Sequence, residues 1–562
     1  MEAPAGGLNQ PEASANDHRV RAVADVLAAN GQTKSVGEAE VLIAGLLVAV
    51  AGLSVLARYL AIPYPIVLVV GGALFGFIPG LPTVHLDPDV VLVVFLPPLL
   101  YATAISANFN DLRASIRPLT FSTIGLVLAT MSSVAWAAHA LIPGMTWQVA
   151  FVLGAIVSPT DPLAAATIMR RLDAPRRMVS SIEGEGLFND ATALVAYRVG
   201  VAAVVAGSFS LAEASLRFFL GAAGGVAIGL AVGVIVAEIR KRIADTETSI
   251  TISLLTCYAA FVPADAIGAS GVLATVTAGI YMGIMAARIL PARIRLQGYI
   301  VWNILDYVVN AVLFVLVGLQ LRAAVDNLSG YSASALTGYA LAVTGVVVGT
   351  RLVWFFTMPY LIRMIDRRPA QRERRIGAAW RLVMAWSGMR GAVSLAVALA
   401  LPLTTDSGSA FPDRDLIIFL TFAVIFFTLV VQGLTLPTLI RWFDINDGGA
   451  DADEEVRARL RATKAAIDQI DSLADEEWTR NETVERMRAL YEYRKRRFAA
   501  RAGKIEDDGF EDRSLAYQQM MQLVLAAQRD ALIHMRSDGD VSNEVMNRIL
   551  QELDLEESRL EI

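Results

Sequence analysis

The stretch Ser181-Ile182-Glu183-Gly184-Glu185-Gly186-Leu187-Phe188-Asn189-Asp190-Ala191-Thr192 sets three carboxylates inside a run, about 179–206, that is otherwise apolar enough to cross a bilayer. A charge at the centre of a bilayer helix costs roughly 2.5–3.5 kcal/mol on insertion scales, so an ionisable group there marks a functional site and demands a partner. If the run is one helix, ~100° per residue puts Glu185 and Asn189 about 40° apart on one face, with Asp190 on the adjoining face. Glu185 can then meet a structural partner while Asp190 looks into a water-filled pocket.

Outward from this stretch the composition is that of a polytopic membrane protein. Of 562 residues, 55% are hydrophobic and 18% charged, with a mean hydropathy of +0.51. Soluble chains carry about a quarter charged residues. About thirteen apolar runs of some 20 residues follow one another across residues 39–442, the expected transmembrane domain. Alternate connections are basic, for example Arg170, Arg171, Arg176 and Arg177, or Arg240, Lys241 and Arg242, whereas the intervening ones hold only Arg217, Arg322 and Arg414. The positive-inside rule makes the basic set cytoplasmic, which places the amino terminus outside and the carboxyl terminus inside.

Residues 1–38 are polar and rich in Ala and Gly, without the apolar core of a signal peptide, and are expected to form an extracytoplasmic tail. Residues 443–562 are rich in Ala, Glu, Arg, Leu and Gln with apolar positions at helical spacing, which predicts a cytosolic domain of three or four helices with breaks near Gly503–Gly509 and Ser537–Ser542. Solvated charged faces account for most of its charge, and a regulatory role is a further expectation. The basic residues sit in loops of a membrane chain, so no nucleic-acid partner is implied. Cys257 stands alone, the four histidines are far apart in sequence, and no resident cofactor is expected. Gly221, Gly225, Gly229 and Gly233 recur every fourth residue, a stripe suited to close helix packing within the chain or to a dimer face.

Two runs contain breakers. In Ser158-Pro159-Thr160-Asp161-Pro162 two prolines three apart remove helix donors at about 3 kcal/mol or more each, predicting a helix broken at membrane depth with Asp161 at a half-helix start. Broken backbone is tolerated there only when buried in protein or lining a cavity, and its freed carbonyls and amides suit ions. In Trp386-Ser387-Gly388-Met389-Arg390-Gly391-Ala392-Val393-Ser394, Arg390 lies between two glycines and must be paired; its planar fork suits a carboxylate, and Glu185 is the expected partner. Paired interruptions in the two halves are what inverted repeats produce. The breaks at 159–162 and 388–391 are expected to cross near the bilayer centre, with the Asp190 helix beside them.

Thr160-Asp161-Pro162, Glu185 four residues before Asn189, Asp190, and Gly388-Met389-Arg390-Gly391, taken with the arginine topology, resemble the cation:proton antiporter-1 family, the NhaP-type and NHE-type sodium/proton exchangers, over about residues 40–442. The resemblance implies an all-α, thirteen-helix fold in which a core domain moves against a dimerisation domain, and hence a homodimer in a bacterial-type plasma membrane. It implies Asp190 as the site that holds a monovalent cation or a proton in turn, with Asn189, Thr160 and Asp161 around the ion and a Glu185–Arg390 ion pair bracing the core. An Asn-Asp pair implies one-for-one, electroneutral exchange. The chain departs from the family's pattern at Ala102, where an acid often follows the Leu-Pro-Pro-Leu-Leu-aromatic stretch, and at Gly186, where serine is common. Both changes remove potential oxygen ligands.

A carboxylate that takes either a proton or a cation, never both, enforces exchange if the protein switches sides only when occupied. The expected activity is Na+/H+ antiport, with Li+ as a further substrate. K+/H+ exchange is the nearest alternative, and an ion-binding sensor signalling through the tail is an alternative of another class. An intramembrane hydrolase would need a nucleophile and base or a metal site, and no His or Cys neighbours the carboxylates in sequence.

Overall fold

A computed structural model describes residues 36–79, 91–107, 109–206, 211–326, 328, 330–365, 377–501 and 509–560. Most of the expected tail, residues 1–35, and the basic loop 366–376 lie outside the described residues. The chain divides into two compact units, the first ending at Asn446 and the second beginning at Asp447.

The first unit is built from helices α1 (Val36–Tyr59), α2 (Tyr64–Gly76), α3 (Leu96–Ser106), α4 (Phe109–Leu141), α5 (Trp147–Val157), α6 (Pro162–Arg171), α7 (Arg176–Val205) and α8 (Leu211–Lys241). It continues with α9 (Thr246–Ala266), α10 (Gly271–Ile289), α11 (Ala292–Asp326), α12 (Ala333–Ile365), α13 (Ala378–Trp386), α14 (Ala392–Leu399), α15 (Arg414–Phe427) and α16 (Gly433–Trp442). No strand occurs among the described residues. Among them, nine helical segments are long and apolar enough to cross a membrane, and shorter apolar helices cover Ala44–Tyr59, Tyr64–Gly76 and Val93–Ser106. Large apolar side chains such as Val48, Val55, Phe219 and Val353 are exposed. In water that surface would be costly; a bilayer accommodates it.

Small residues set the helix spacing. On α8, a Cβ at Gly225 would sit 2.5 Å from the Ser270 carbonyl oxygen, one at Gly229 would strike the backbone of Ala274, and one at Gly233 would crowd the Tyr281 ring at 3.0 Å. Three of the four stripe glycines are therefore spent on α10 and its cap within the same chain.

The second unit contains α17 (Ala450–Ser472), α18 (Asn481–Arg501), α19 (Phe510–Ser537) and α20 (Asn543–Leu560). Leu525, Leu532, Met546 and Leu553 form its apolar core between α19 and α20. Arg529 spans the same pair of helices, bonding Asp554 at 2.6 Å and Glu557 at 2.5 Å.

Candidate ion-binding site

Two half-helix pairs meet at the centre of the first unit. The chain leaves α5 at Val157, runs unwound to Asp161, and restarts as α6 with Pro162 in the first turn, where its missing N–H costs nothing. It leaves α13 at Trp386 and restarts as α14 at Ala392. The unwound segments touch directly, the Asp161 amide donating to the Met389 carbonyl at 2.8 Å. Asp161 also caps α6, its Oδ1 accepting from the Leu163 amide at 2.9 Å. Its Oδ2 lies so close to Gly391 that a Cβ there would collide with it. Gly391 is thus fixed by a side chain some 230 positions away in the sequence.

The two buried arginines do not divide as the sequence suggests. Glu185 is paired with Arg351 of α12, not with Arg390. Arg351 meets both carboxylate oxygens, Nη1 on Oε1 and Nη2 on Oε2, the latter at 3.0 Å. It also donates to the α13 carbonyls of Ala385 at 3.1 Å and Met384 at 3.2 Å, and its head lies 5.0 Å from the Phe355 ring centroid. A side chain on Gly388 would occupy the space that Arg351 fills. Arg390 is spent on the break itself. Its Nε donates to the Val157 carbonyl at 3.1 Å and its Nη1 to the Gly388 carbonyl, while its amide donates to Thr428 Oγ1 at 3.0 Å. Both guanidinium groups therefore cover carbonyls that half-helices leave bare, at the ends where the macrodipole favours a cation. Arg351 was detectable by the rule that singled out Arg390, as a lone charge within a long apolar run. Arg198 of α7 pairs with Asp265 of α9.

From Glu185 the polar contacts run to the neighbouring face of α7. Thr160 Oγ1 donates to Glu185 Oε1 at 3.2 Å, and Asn189 Nδ2 donates to Thr160 Oγ1 at 2.6 Å and to its carbonyl at 3.3 Å. Asn189 Oδ1 is buried without a hydrogen-bond partner. Asp190, on the adjoining face, lines a cavity of about 480 Å³ together with Thr160, Asp161, Pro159, Pro162, Gly391 and Ser394. The same cavity is lined by Asp306 and Asn310 of α11, which the sequence reading did not bring to the site. Their signal was a carboxylate and an amide one turn apart in an apolar run.

The sequence model described as "Sodium/hydrogen exchanger, transmembrane" matches residues 45–442. The chain belongs to the sodium/hydrogen exchanger family. An uncharacterized Na+/H+ exchanger of Mycobacterium bovis is 38% identical over 524 residues, covering 92% of this chain and 96% of the relative. The sodium, potassium, lithium and rubidium/H+ antiporter of Bacillus pumilus is 31% identical, covering 75% of this chain and 64% of the relative. The solved sodium proton antiporter MjNhaP1 of Methanocaldococcus jannaschii has the same fold, with a TM-score of 0.56 at 20% identity over 72% of this chain and 98% of that one. These relatives are named as transporters, not as enzymes.

In this exchanger-family chain both departures from the usual motif, Ala102 and Gly186, line the cavity. Gly186 has a steric reason. A Cβ there would lie 2.6 Å from Pro162 Cδ, so α6 sits closer to α7 than a serine would allow.

Proposed function

We propose that this sodium/hydrogen exchanger family member is an electroneutral antiporter that moves one monovalent cation, sodium first, against one proton, with Asp190 holding either in turn. The observation that supports this most is the uneven pairing of its carboxylates. Glu185 is matched by Arg351, Glu183 by Arg170 and Asp265 by Arg198. Asp161 and Asp190 share a cavity and have no arginine or lysine partner among the described residues. Unpaired carboxylates at membrane depth are retained where they meet ions or protons. Asp161 is partly committed as the α6 cap, which leaves Asp190 as the group free to exchange its charge partner. Asn189 Oδ1, Thr160 and the unwound backbone offer the oxygen ligands that a hard cation requires.

In this proposal the three shorter apolar helices and the broken pair α13–α14 complete thirteen spans, and the two breaks mark inverted halves of the core. The cavity reaches Arg170, Ser180 and Glu183 beside the basic α6–α7 connection, the cytoplasmic side by the positive-inside rule, so the site is open inward. The protein then works as a homodimer in a bacterial inner membrane, amino terminus outside and carboxyl terminus inside. Potassium is a second cargo on the strength of the Bacillus pumilus relative, whose name spans four alkali cations.

The test is proton flux in acid-loaded liposomes holding the pure protein, with Na+, K+ or Li+ added in turn. Cation-driven alkalinisation that disappears in Asp190→Asn is the expected result and ranks the ions. Flux that survives in Asp190→Asn removes Asp190 from the cycle, and folded wild-type protein that moves no cation defeats the antiport reading.

A further inference from the structure

We propose that Asp306 of α11 is a second cation-capturing carboxylate of this cavity and sets its apparent affinity for the transported ion; the proposal rests on the antiport reading and deepens it. Asp306 lines the same cavity as Asp161 and Asp190 but arrives from a different helix. Tyr299, Trp302, Asn303, Asp306 and Asn310 recur at helical spacing and all line the cavity, so one face of α11 forms a wall of it. Asp306 has no arginine or lysine partner among the described residues, in contrast to the paired Asp265 and Glu183. Asn310 fixes its rotamer, donating Nδ2 to the Asp306 carbonyl at 2.9 Å and to its Oδ1 at 3.0 Å. A carboxylate held in place by an amide and left without a counter-charge presents oxygen to a hard cation.

The charge adds to that of Asp190 across a cavity of limited dielectric. It concentrates cations near the exchange carboxylate without itself being the group that trades cation for proton. Removing it weakens capture and leaves turnover intact. The position also accounts for how the site works with an alanine at 102. Tyr101 of α3 packs at a tilt against Trp302 of α11 with ring centroids 4.9 Å apart, so Ala102 and Asp306 belong to adjoining parts of one wall. On this wall the acid is supplied by α11.

Exchange is measured with the full chain in liposomes over a range of Na+ concentrations. Asp306→Asn is expected to raise the KM for Na+ on the order of tenfold, with the maximal rate held within about twofold. Asp306→Glu keeps the charge and stays near wild type. A carboxylate placed on the adjoining wall, Ala102→Glu in the Asp306→Asn background, lowers KM again, a rescue that a purely structural role would not give. An unchanged KM in Asp306→Asn, or a loss of maximal rate alone, overturns the proposal. Should Asp306→Asn fail to fold, Asn310→Ala reads the same quantity, and a KM that does not rise there counts against it equally. Absence of cation-driven flux in the wild type is a separate failure, that of the antiport reading itself, and takes this proposal with it.

Discussion

Arg351 and Arg390 are both buried at 1% exposure, and each holds together a different part of the broken core. Removing one partner of a buried pair leaves an uncompensated charge and costs about 3–5 kcal/mol. Arg351→Met is therefore expected to lose most folded protein, and a double-mutant cycle on thermal unfolding in detergent should give a strong coupling between Glu185 and Arg351. The Glu185 and Arg390 cycle should give little, since Arg390 donates to carbonyls. Equal couplings in the two cycles would contradict this division. Glu185 and Asp190 stood out in the sequence because a carboxylate is conspicuous in an apolar run, and Asn189 only by its place between them. The identity of Glu185's partner was not, because two arginines met the same physical requirement and sequence spacing does not say which distant helix arrives. Gly186 carries a second residue-scale prediction. Gly186→Ser must push Pro162 away, and overpacking of this kind costs about 1–3 kcal/mol, read as a lowered Tm.

At the scale of elements, the first break was legible because its cause is local: Pro159 and Pro162 cannot continue a helix. The second has no proline. Gly388 and Gly391 make room for Arg351 and for the Asp161 carboxylate, both remote in sequence, so the pattern gave the place of the break but not its reason. Gly391→Ala is expected to displace Asp161 and slow exchange on the order of 10²-fold, as a small misplacement of a reacting group can, in protein that still folds. Wild-type rates in that variant would mean the contact has no bearing on transport. The α8 stripe makes the opposite kind of prediction. Gly229→Leu should reduce the yield of folded protein by separating α8 from α10, whereas folded monomers in its place would show that the stripe serves assembly.

At the scale of the whole molecule, apolar runs and alternating arginines made the membrane class legible, while short helices such as α2 and the broken α13–α14 pair blur any count of spans made from length alone. The second unit has its own apolar core, and a chain ending at Asn446 is expected to keep cation-driven proton flux. Loss of flux from such a chain, shown to be folded, would place the carboxyl-terminal helices inside the transport cycle.

Competition of a proton and a cation for one carboxylate is the proposed basis of exchange. It is tested most directly by titrating the purified protein in lightly buffered detergent with NaCl and counting the protons released for each cation bound. One proton per cation is expected at a pH where the site is protonated, and none in Asp190→Asn. Cation binding without proton release, or release that persists in Asp190→Asn, would contradict it.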